Sequence, residues 1–344
     1  MKAGYFGGGQ PLQVIEAFKR AEEAGFEDAW LGDHFISWFP EKPFGETWSL
    51  LSAAAMVTRK IKLGSGVTDP FRRSSALLAQ SASTLDQLSG GRGILGLGAG
   101  EPMNLIPFGI DWEKPVSRLK ETIHNIIELW NSTVENPFTY SGEFENFRDA
   151  FLQIKPFNAR MPIYVGGSSP RARRISGEMS DGWFAYIHSP QTFREDVHEV
   201  FDAARKAGRS PDDIDTAVYF HCSIDKDPDV ARQSVVLPAA FALILSRDKL
   251  SRIGYDEGIP DDFSLEKAVI NKRLVQRLHD MASKISDKAI NEVALFGTPD
   301  QILGRIEQYA KAGLKHCVLS LQGKNRDESF QLFSSQVLPH LQKM

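Results

Sequence analysis

Residues 61–100 contain three segments in succession: IKLGSGVT (61–68), SALLAQSASTLDQLSGG (75–91) and GILGLGAG (93–100). The first and third are short apolar runs of the kind that form parallel strands buried on both faces. The middle segment has helical spacing and ends at glycine. The three together predict a strand, a crossover helix and a second parallel strand.

The same alternation continues in both directions along the chain. Eight strand segments, each followed by a helix, are predicted at residues 2–7, 28–33, 61–68, 93–100, 162–168, 182–187, 215–224 and 315–323. Eight β/α units in a chain of 344 residues predict the α/β class and a (β/α)8 TIM barrel. A doubly wound sheet is the alternative, but GLGAG (96–100) lacks the GxGxxG spacing of a dinucleotide turn.

Three segments are longer than a simple barrel needs. ISWFPEKPFG (36–45) follows the second strand, and residues 136–156 predict a hairpin around a Ser-Gly turn. Residues 246–291 predict a helical insertion between the seventh and eighth units, followed by a short strand-like piece at 292–297. No Pro/Gly-rich linker divides the chain, so we predict one domain over residues 1–344.

The composition excludes several classes of function. The net charge is −4 and no long Lys/Arg run occurs, which disfavours a nucleic-acid partner. No apolar run suits membrane insertion, and the N-terminus lacks the apolar centre of a signal peptide. Cys222 and Cys317 lie far apart in apolar runs and predict buried thiols, with no metal site. We therefore expect a cytoplasmic protein.

Titratable residues follow two of the predicted strands. Asp33 and His34 follow the second strand, with Trp38 four residues after His34, and Glu101 and Asn104 follow the fourth. Active sites of (β/α)8 barrels lie at the C-terminal ends of the strands. Carboxylates and an imidazole that converge there supply the acid/base groups that a cofactor enzyme needs.

A glycine-rich turn follows the fifth strand in GGSSPRARRISG (166–177). Small residues let backbone N–H groups approach an anion, and the start of a helix favours negative charge. The turn therefore predicts a phosphate site, to which Arg171, Arg173 and Arg174 could add charge.

On these segments the chain resembles the bacterial-luciferase-like superfamily, and more narrowly the branch that uses the deazaflavin coenzyme F420. The resemblance covers essentially the whole chain and is carried by three segments. These are GDHF (32–35) with Trp38, residues 60–101, and GTPDQILGRIEQYAKAG (297–313). It implies a luciferase-like barrel that holds coenzyme F420, with FMN as the alternative cofactor.

The resemblance also assigns roles to residues. It implies that Asp33 and His34 lie beside the deazaflavin ring and that Trp38 and Glu101 lie around the substrate pocket. His34 or Glu101 would exchange a proton with the substrate, and Asp33 would either orient His34 or hold its tautomer. A non-prolyl cis peptide is implied between Gly66 and Val67. Further coenzyme contacts are expected from Thr68, Asn104, Gly166, Gly167 and Ser168.

The implied activity is hydride transfer between the deazaflavin C5 and a carbonyl or alcohol substrate. The alternatives are a 5,10-methylenetetrahydromethanopterin reductase, an FMN-dependent luciferase-like monooxygenase and a non-catalytic barrel. Phe6 stands where the methanopterin reductase has a carboxylate, which weakens that alternative. His188 and residues 291–292 stand where the sugar-phosphate dehydrogenases have basic groups, which disfavours a sugar phosphate. Family members usually form homodimers, and helices 46–60 and 75–91 are the expected interface.

Overall fold

The computed structural model describes residues 1–37, 43–255, 259–260, 263 and 270–344. Trp38 and parts of the predicted insertion at 246–291 lie outside the described residues. The strands are β1 (Lys2–Gly7), β2 (Asp28–Leu31), β3 (Lys62–Ser65), β4 (Gly93–Leu97), β5 (Phe138–Ser141), β6 (Asn146–Ala150), β7 (Ile163–Gly166), β8 (Gly182–Tyr186), β9 (Asp215–Ile224), β10 (Leu295–Gly297) and β11 (His316–Gln322).

Each strand of the barrel is followed by at least one helix before the next barrel strand, and β10 follows α10. The helices are α1 (Pro11–Ala24), α2 (Thr47–Val57), α3 (Ser75–Ser89), α4 (Pro115–Asn131), α5 (Pro170–Met179), α6 (Pro190–Lys206), α7 (Pro228–Leu245), α8 (Arg247–Arg252), α9 (Lys272–Ala282), α10 (Asp287–Val293), α11 (Pro299–Lys311), α12 (Arg326–Leu332) and α13 (Leu338–Leu341). A π-helical turn at Phe333–Val337 joins the last two.

The large sheet is a closed parallel barrel. Its order is β10-β9-β11-β1-β2-β3-β4-β7-β8, and a further pairing of β8 with β9 closes the ring. Eight of these strands coincide with the eight predicted segments, while β10 adds three residues that pair in parallel with the end of β9. The predicted TIM barrel is therefore confirmed. A doubly wound sheet is excluded because such a sheet stays open.

Of the three long segments, those at 136–156 and 246–291 have secondary structure of their own in the described part of the chain. β5 and β6 form an antiparallel hairpin, with Ser141 opposite Asn146 across the turn. Between β9 and β11, the described part of the chain contains α8, α9 and α10 after the barrel helix α7. One apolar cluster joins these elements and includes Leu243, Leu278 and Ile290.

Among the described helices, α7 alone has the length and composition to cross a membrane, with a mean hydropathy of 1.3 over 18 residues. The sequence prediction missed this run, because Asp229 and Arg232 interrupt its first half. In the structure the apolar side chains of α7 pack against α9, α10 and β10. They are therefore used in the packing of this barrel.

The side chains inside the barrel form two layers, an apolar one and, nearer the N-terminal end, a polar one. Trp30, Tyr164 and Phe184 belong to the apolar layer, where the Trp30 and Phe184 ring centroids are 4.9 Å apart. Outside the barrel, the apolar faces of the helices form the largest core cluster. Both cysteines are buried free thiols, as predicted.

A charged group lies inside the N-terminal end of the barrel. His316 Nε2 is 3.0 Å from Asp28 Oδ1, and His316 Nδ1 is 3.2 Å from Asp215 Oδ2. Lys2 and Tyr164 also donate to Asp215. Burial alone would lower the pKa of His316, but the two carboxylates raise it to about 10. This end of a TIM barrel usually serves stability, and the ion pairs here fit that role.

The glycines of GLGAG allow β4 to approach β3 closely. A Cβ atom on Gly96 would lie 2.0 Å from the Ser65 carbonyl oxygen, and one on Gly98 would lie 2.6 Å from Cγ2 of Val67. These glycines therefore serve close packing at the end of the strand.

Gly96 has no room for a side chain. Gly96→Ala is expected to lower the free energy of unfolding by about 1–3 kcal/mol, because the backbone of β3 must move away from the new methyl group. Gly304→Ala is the control, since it lies in α11 with nothing within 4 Å, and it is expected to stabilise by about 0.5–1 kcal/mol. Urea unfolding of both variants measures the difference. Equal stability of the two variants would contradict the packing argument.

Candidate active site

His34 lies in the loop that follows β2 at the C-terminal end of the barrel. Its ring centroid is 4.9 Å from that of Phe44, and its side chain is 26% exposed. Gly32 leaves room for the ring, because a Cβ atom there would lie 3.0 Å from His34 Cδ2 and 3.2 Å from Phe44 Cε1. The imidazole is thus confined on two sides and reaches solvent.

This confinement gives a second prediction. Gly32→Ala is expected to displace the imidazole by a few tenths of an ångström and to lower turnover about tenfold, because small misplacements of reacting groups are costly. Gly8→Ala is the matched control, since its Cβ would meet nothing within 4 Å. Steady-state kinetics of both variants tests this, and unchanged turnover of Gly32→Ala would show that the ring position is unimportant.

Asn104 connects the loop after β4 with the loop after β2. Its side chain is buried, and its Nδ2 lies 2.7 Å from His34 Nδ1. Its Oδ1 accepts from the backbone N–H groups of Phe35 at 2.8 Å and Ile36 at 3.1 Å. Asn104 therefore fixes both the backbone beside His34 and the ring itself.

Glu101 is the second acid/base candidate, and it lies beside the first. Its Oε2 atom is 3.5 Å from His34 Nδ1 and 3.3 Å from Asn104 Nδ2. The Glu101 side chain is 54% exposed, so its carboxylate is open to solvent and to a substrate. The structure thus brings His34, Glu101 and Asn104 together.

Asp33 has different partners from those that the sequence predicts. Its carboxylate accepts from Thr68 Oγ1 at 2.6 Å and from Arg73 Nη1 at 2.8 Å, and Arg72 Nη1 is 3.2 Å from Oδ1. The expectation that Asp33 orients His34 is wrong for the ring nitrogen Nδ1, which is held by Asn104. Asp33 instead joins the loop after β2 to the loop after β3.

Arg72 and Arg73 were not predicted as site residues. Arg72 also binds Asp69 and the Asp33 carbonyl oxygen, while Arg73 bridges Asp33 to Glu46 at the start of α2. The signal in the sequence was the Arg-Arg pair four residues after the predicted third strand segment (61–68). The contacts with Asp33 and Glu46 could not be assigned, because these residues come from another part of the chain.

The predicted cis peptide is present between Gly66 and Val67. The C-terminal opening of the barrel is called the mouth. Val67 is partly exposed there, and its side chain lies over the backbone of two other strand ends, at Gly98 and Gly166. A Cβ atom on Gly166 would lie 3.1 Å from both methyl groups of Val67. The absence of side chains at these glycines leaves room for the Val67 side chain.

The turn after β7 connects the end of that strand to the start of α5. Gly167 has a φ of +147°, and its carbonyl oxygen accepts from Trp183 Nε1 at 2.9 Å. Ser169 caps α5 through its side chain. In the described part of the chain, no backbone or side-chain acceptor is recorded for the backbone N–H groups of Ser168 and Ser169.

The arginines of this turn are not available to a phosphate in the way the sequence suggested. Arg173 is buried and binds Asp196, Glu199 and the Ser168 carbonyl oxygen. Arg174 pairs with Glu178, and Arg171 donates to the hydroxyl of Ser117. Each of the three therefore has a protein partner.

A buried charged group links α8 to the barrel near this turn. Arg252 contacts both oxygens of Asp196, at 3.0 and 2.8 Å, and His188 Nε2 lies 2.9 Å from Asp196 Oδ2. Burial lowers the pKa of His188 to about 3 and that of Lys249 to about 7. Lys249 donates to the Tyr186 carbonyl oxygen at the end of β8. Nothing in the sequence pattern pointed to Lys249.

Comparison with known proteins adds the family. Residues 4–316 match the family described as luciferase-like monooxygenase. The chain belongs to that family. The predicted superfamily is thereby confirmed. The cis peptide was predicted from it, whereas the barrel was predicted from the pattern of strands and helices.

Two curated relatives and one solved structure are similar to this luciferase-like chain over nearly its whole length. A 5,10-methylenetetrahydromethanopterin reductase from Archaeoglobus fulgidus is 33% identical over 325 residues, which is 94% of each chain. A phthiodiolone/phenolphthiodiolone dimycocerosates ketoreductase from Mycobacterium tuberculosis is 30% identical over 354 residues, covering 96% of this chain and 92% of the relative. The solved F420-dependent secondary alcohol dehydrogenase in complex with an F420-acetone adduct is 26% identical, with a TM-score of 0.83 over 99% of this chain and 98% of that chain.

Proposed function

We propose that this chain is a coenzyme F420-dependent oxidoreductase that transfers a hydride between the deazaflavin and a carbonyl or alcohol substrate. The observation that carries the proposal is the group formed by His34, Asn104 and Glu101 at the C-terminal end of the barrel. The relationship to the alcohol dehydrogenase and the ketoreductase supports it, since both names describe reactions at a carbonyl or alcohol carbon.

The residues at the mouth fit a flat cofactor that carries a phosphate. Val67, with Gly98 and Gly166 below it, forms a surface from which no side chain of those glycines projects. The backbone N–H groups of Ser168 and Ser169 are suitable donors to a phosphate at the start of α5. We infer that these residues, with Gly167 and Thr68, hold the coenzyme. The side-chain amide of Asn104, which the sequence also predicted as a coenzyme contact, is already used by Phe35 and Ile36 on its oxygen and by His34 on its nitrogen. Trp38 remains a proposed pocket residue outside the described part of the chain.

When bound, the reduced deazaflavin supplies a hydride to an electrophilic carbon. The protein must then stabilise the negative charge that develops on the carbonyl oxygen. His34 is placed to donate a hydrogen bond to that oxygen, and Glu101, being exposed, to exchange a proton with solvent and substrate. Asp33 is excluded from direct proton transfer because both of its oxygens bind Arg72, Arg73 or Thr68. We assign Asp33 the role of holding the loop that carries His34.

The second candidate function is reduction of 5,10-methylenetetrahydromethanopterin. The 33% identity to the Archaeoglobus fulgidus reductase favours it. Phe6 disfavours it, because its ring packs 4.6 Å from Tyr219 in the apolar layer, at the position where that reductase is expected to have a carboxylate. A sugar phosphate is disfavoured by His188, which is buried, neutral and bound to Asp196.

Titration of the purified chain with coenzyme F420, followed by deazaflavin fluorescence, tests the cofactor, with FMN as the matched competitor. Ketones, secondary alcohols and methylenetetrahydromethanopterin are then screened for coenzyme oxidation or reduction. The proposal expects saturable F420 binding and turnover with a carbonyl or alcohol. Binding of FMN alone would overturn the proposal in favour of a flavin monooxygenase. Turnover with the pterin alone would establish the second candidate.

We also propose a small-molecule substrate, a cytoplasmic location and a homodimer. Exposed apolar side chains on α2 and α3, namely Met56, Val57, Leu77 and Leu88, support an interface on these helices. Light scattering coupled to size exclusion tests the dimer.

A further inference from the structure

The side-chain amide of Asn104 uses all of its hydrogen-bonding capacity. Its oxygen accepts from the backbone N–H groups of Phe35 and Ile36. Its nitrogen is 2.7 Å from His34 Nδ1 and 3.3 Å from Glu101 Oε2. Two acceptor positions and two donor hydrogens are the full inventory of a primary amide. The amide therefore has one orientation that satisfies every neighbour.

This orientation determines the protonation of the imidazole. A backbone N–H can only donate, so the atom of Asn104 that faces Phe35 and Ile36 must be the oxygen. The atom that faces His34 is then the NH2 nitrogen, which can only donate. His34 Nδ1 must accept this hydrogen bond, and in the neutral ring the proton is left on Nε2.

We propose that Asn104 is a positioning residue that holds His34 in the Nε2–H tautomer, so that His34 acts on the substrate oxygen as a hydrogen-bond donor. The donor role rests on the proposed function, whereas the tautomer does not. Within the described residues, no hydrogen bond is recorded to His34 Nε2, and the side chain is partly exposed, so this nitrogen remains for a ligand. A ring in this state cannot accept the proton of an alcohol at Nε2.

The tautomer gives His34 and Glu101 different roles in the reaction. In carbonyl reduction, the hydride and its electron pair form the new C–H bond while the C=O π electrons move to the oxygen. The Nε2–H of His34 stabilises this oxygen, and the proton that completes the alcohol comes from solvent through Glu101. In the reverse direction, Glu101 takes the hydroxyl proton and hydride leaves to the oxidised coenzyme. Net proton transfer therefore belongs to Glu101 and charge stabilisation to His34.

The tautomer can be measured directly on the chain without coenzyme. Two-bond ¹H–¹⁵N correlation spectra of the histidine rings distinguish the two neutral tautomers, at about pH 8.5, where ordinary histidines are neutral. The His34→Gln spectrum assigns the His34 signals by their loss. The proposal expects a protonated Nε2 and an unprotonated Nδ1. A protonated Nδ1, or a ring that exchanges between both forms, would overturn it, whether or not the chain binds F420.

The substitution Asn104→Asp tests whether Asn104 sets the tautomer of His34. Aspartate keeps an acceptor for Phe35 and Ile36 but presents a second acceptor to His34, so it is expected to move the ring proton to Nδ1. The substitution is made together with Glu101→Gln, which removes the carboxylate repulsion, and Glu101→Gln alone is the control. A ring that stays in the Nε2–H form in the double variant would show that Asn104 does not set the tautomer.

The same pair of variants gives a functional readout that simple loss of structure would not. Relative to Glu101→Gln, the double variant is expected to lose about 10²–10³-fold in kcat for carbonyl reduction, with little change in the F420 dissociation constant. An equal loss of coenzyme affinity and kcat would indicate a structural role and overturn the positioning role. Failure of wild type to bind F420 would overturn the proposed function and leave the tautomer result standing.

Discussion

His34→Ala is expected to lower kcat/KM for carbonyl reduction about 10²–10³-fold, because it removes one hydrogen-bond donor to the oxygen on which charge develops. His34→Gln is the second variant to compare, since the glutamine amide can donate a hydrogen bond but cannot take up a proton. If His34 acts as a donor, the glutamine variant retains clearly more activity than the alanine variant. Steady-state kinetics with reduced coenzyme, together with F420 affinity by fluorescence, measures both effects.

The control for this prediction is His198→Ala, an exposed histidine on α6. It is expected to leave kcat/KM unchanged. Full activity of His34→Ala would remove His34 from the reaction altogether. Equal and severe loss in His34→Gln and His34→Ala would instead indicate that His34 transfers the proton, in conflict with the tautomer inferred from Asn104.

His316→Leu is expected to lower the free energy of unfolding by about 3–5 kcal/mol, because Asp28 and Asp215 would be left buried without their shared cation. Trp30 still donates to Asp28, and Lys2 and Tyr164 still donate to Asp215, but each of them donates to only one of the two carboxylates. His340→Leu, an exposed histidine near the C-terminus, is the control and is expected to change stability by no more than about 0.5 kcal/mol. Urea unfolding of both variants provides the measurement.

The pH dependence of stability gives the same claim a second readout. The pKa of His316 is raised from 6.5 to about 10 in the folded chain, so its contribution is complete below about pH 6.5 and is lost as pH rises towards 10. Lys249 acts in the opposite direction, because burial lowers its pKa to about 7. The difference between wild type and His316→Leu isolates the His316 contribution. A difference that stays constant from pH 6 to 10 would contradict the ion pairs.

The barrel could be predicted because each strand is a local apolar run and each helix has its own period and glycine end. The exact ends of the strands could not be predicted from the sequence. β2 was expected to reach Asp33 but ends at Leu31, and β4 was expected to reach Gly100 but ends at Leu97. At these positions the chain leaves the ladder to form the mouth, where His34 and Glu101 interact across loops.

The candidate site was predicted as a set of residues but not as a set of contacts. Strand-end position suffices to bring His34, Glu101 and Asn104 to one rim. The choice of Asn104 over Asp33 as the partner of His34 depends on loop geometry that no local pattern encodes. Arg173 shows the same limit: its place at the start of α5 suggested a phosphate ligand, whereas Asp196 on the next helix binds it.

The proposed function requires a deazaflavin that lies across the mouth of this barrel, against Val67 and within reach of His34. A crystal structure of the chain grown with coenzyme F420 would show whether the coenzyme binds there. We expect the three-ring system over the Gly66–Val67 peptide, with His34 Nε2 facing the space beside it and the phosphate near Ser168. Coenzyme bound elsewhere on the molecule, or an empty mouth at saturating coenzyme, would contradict it.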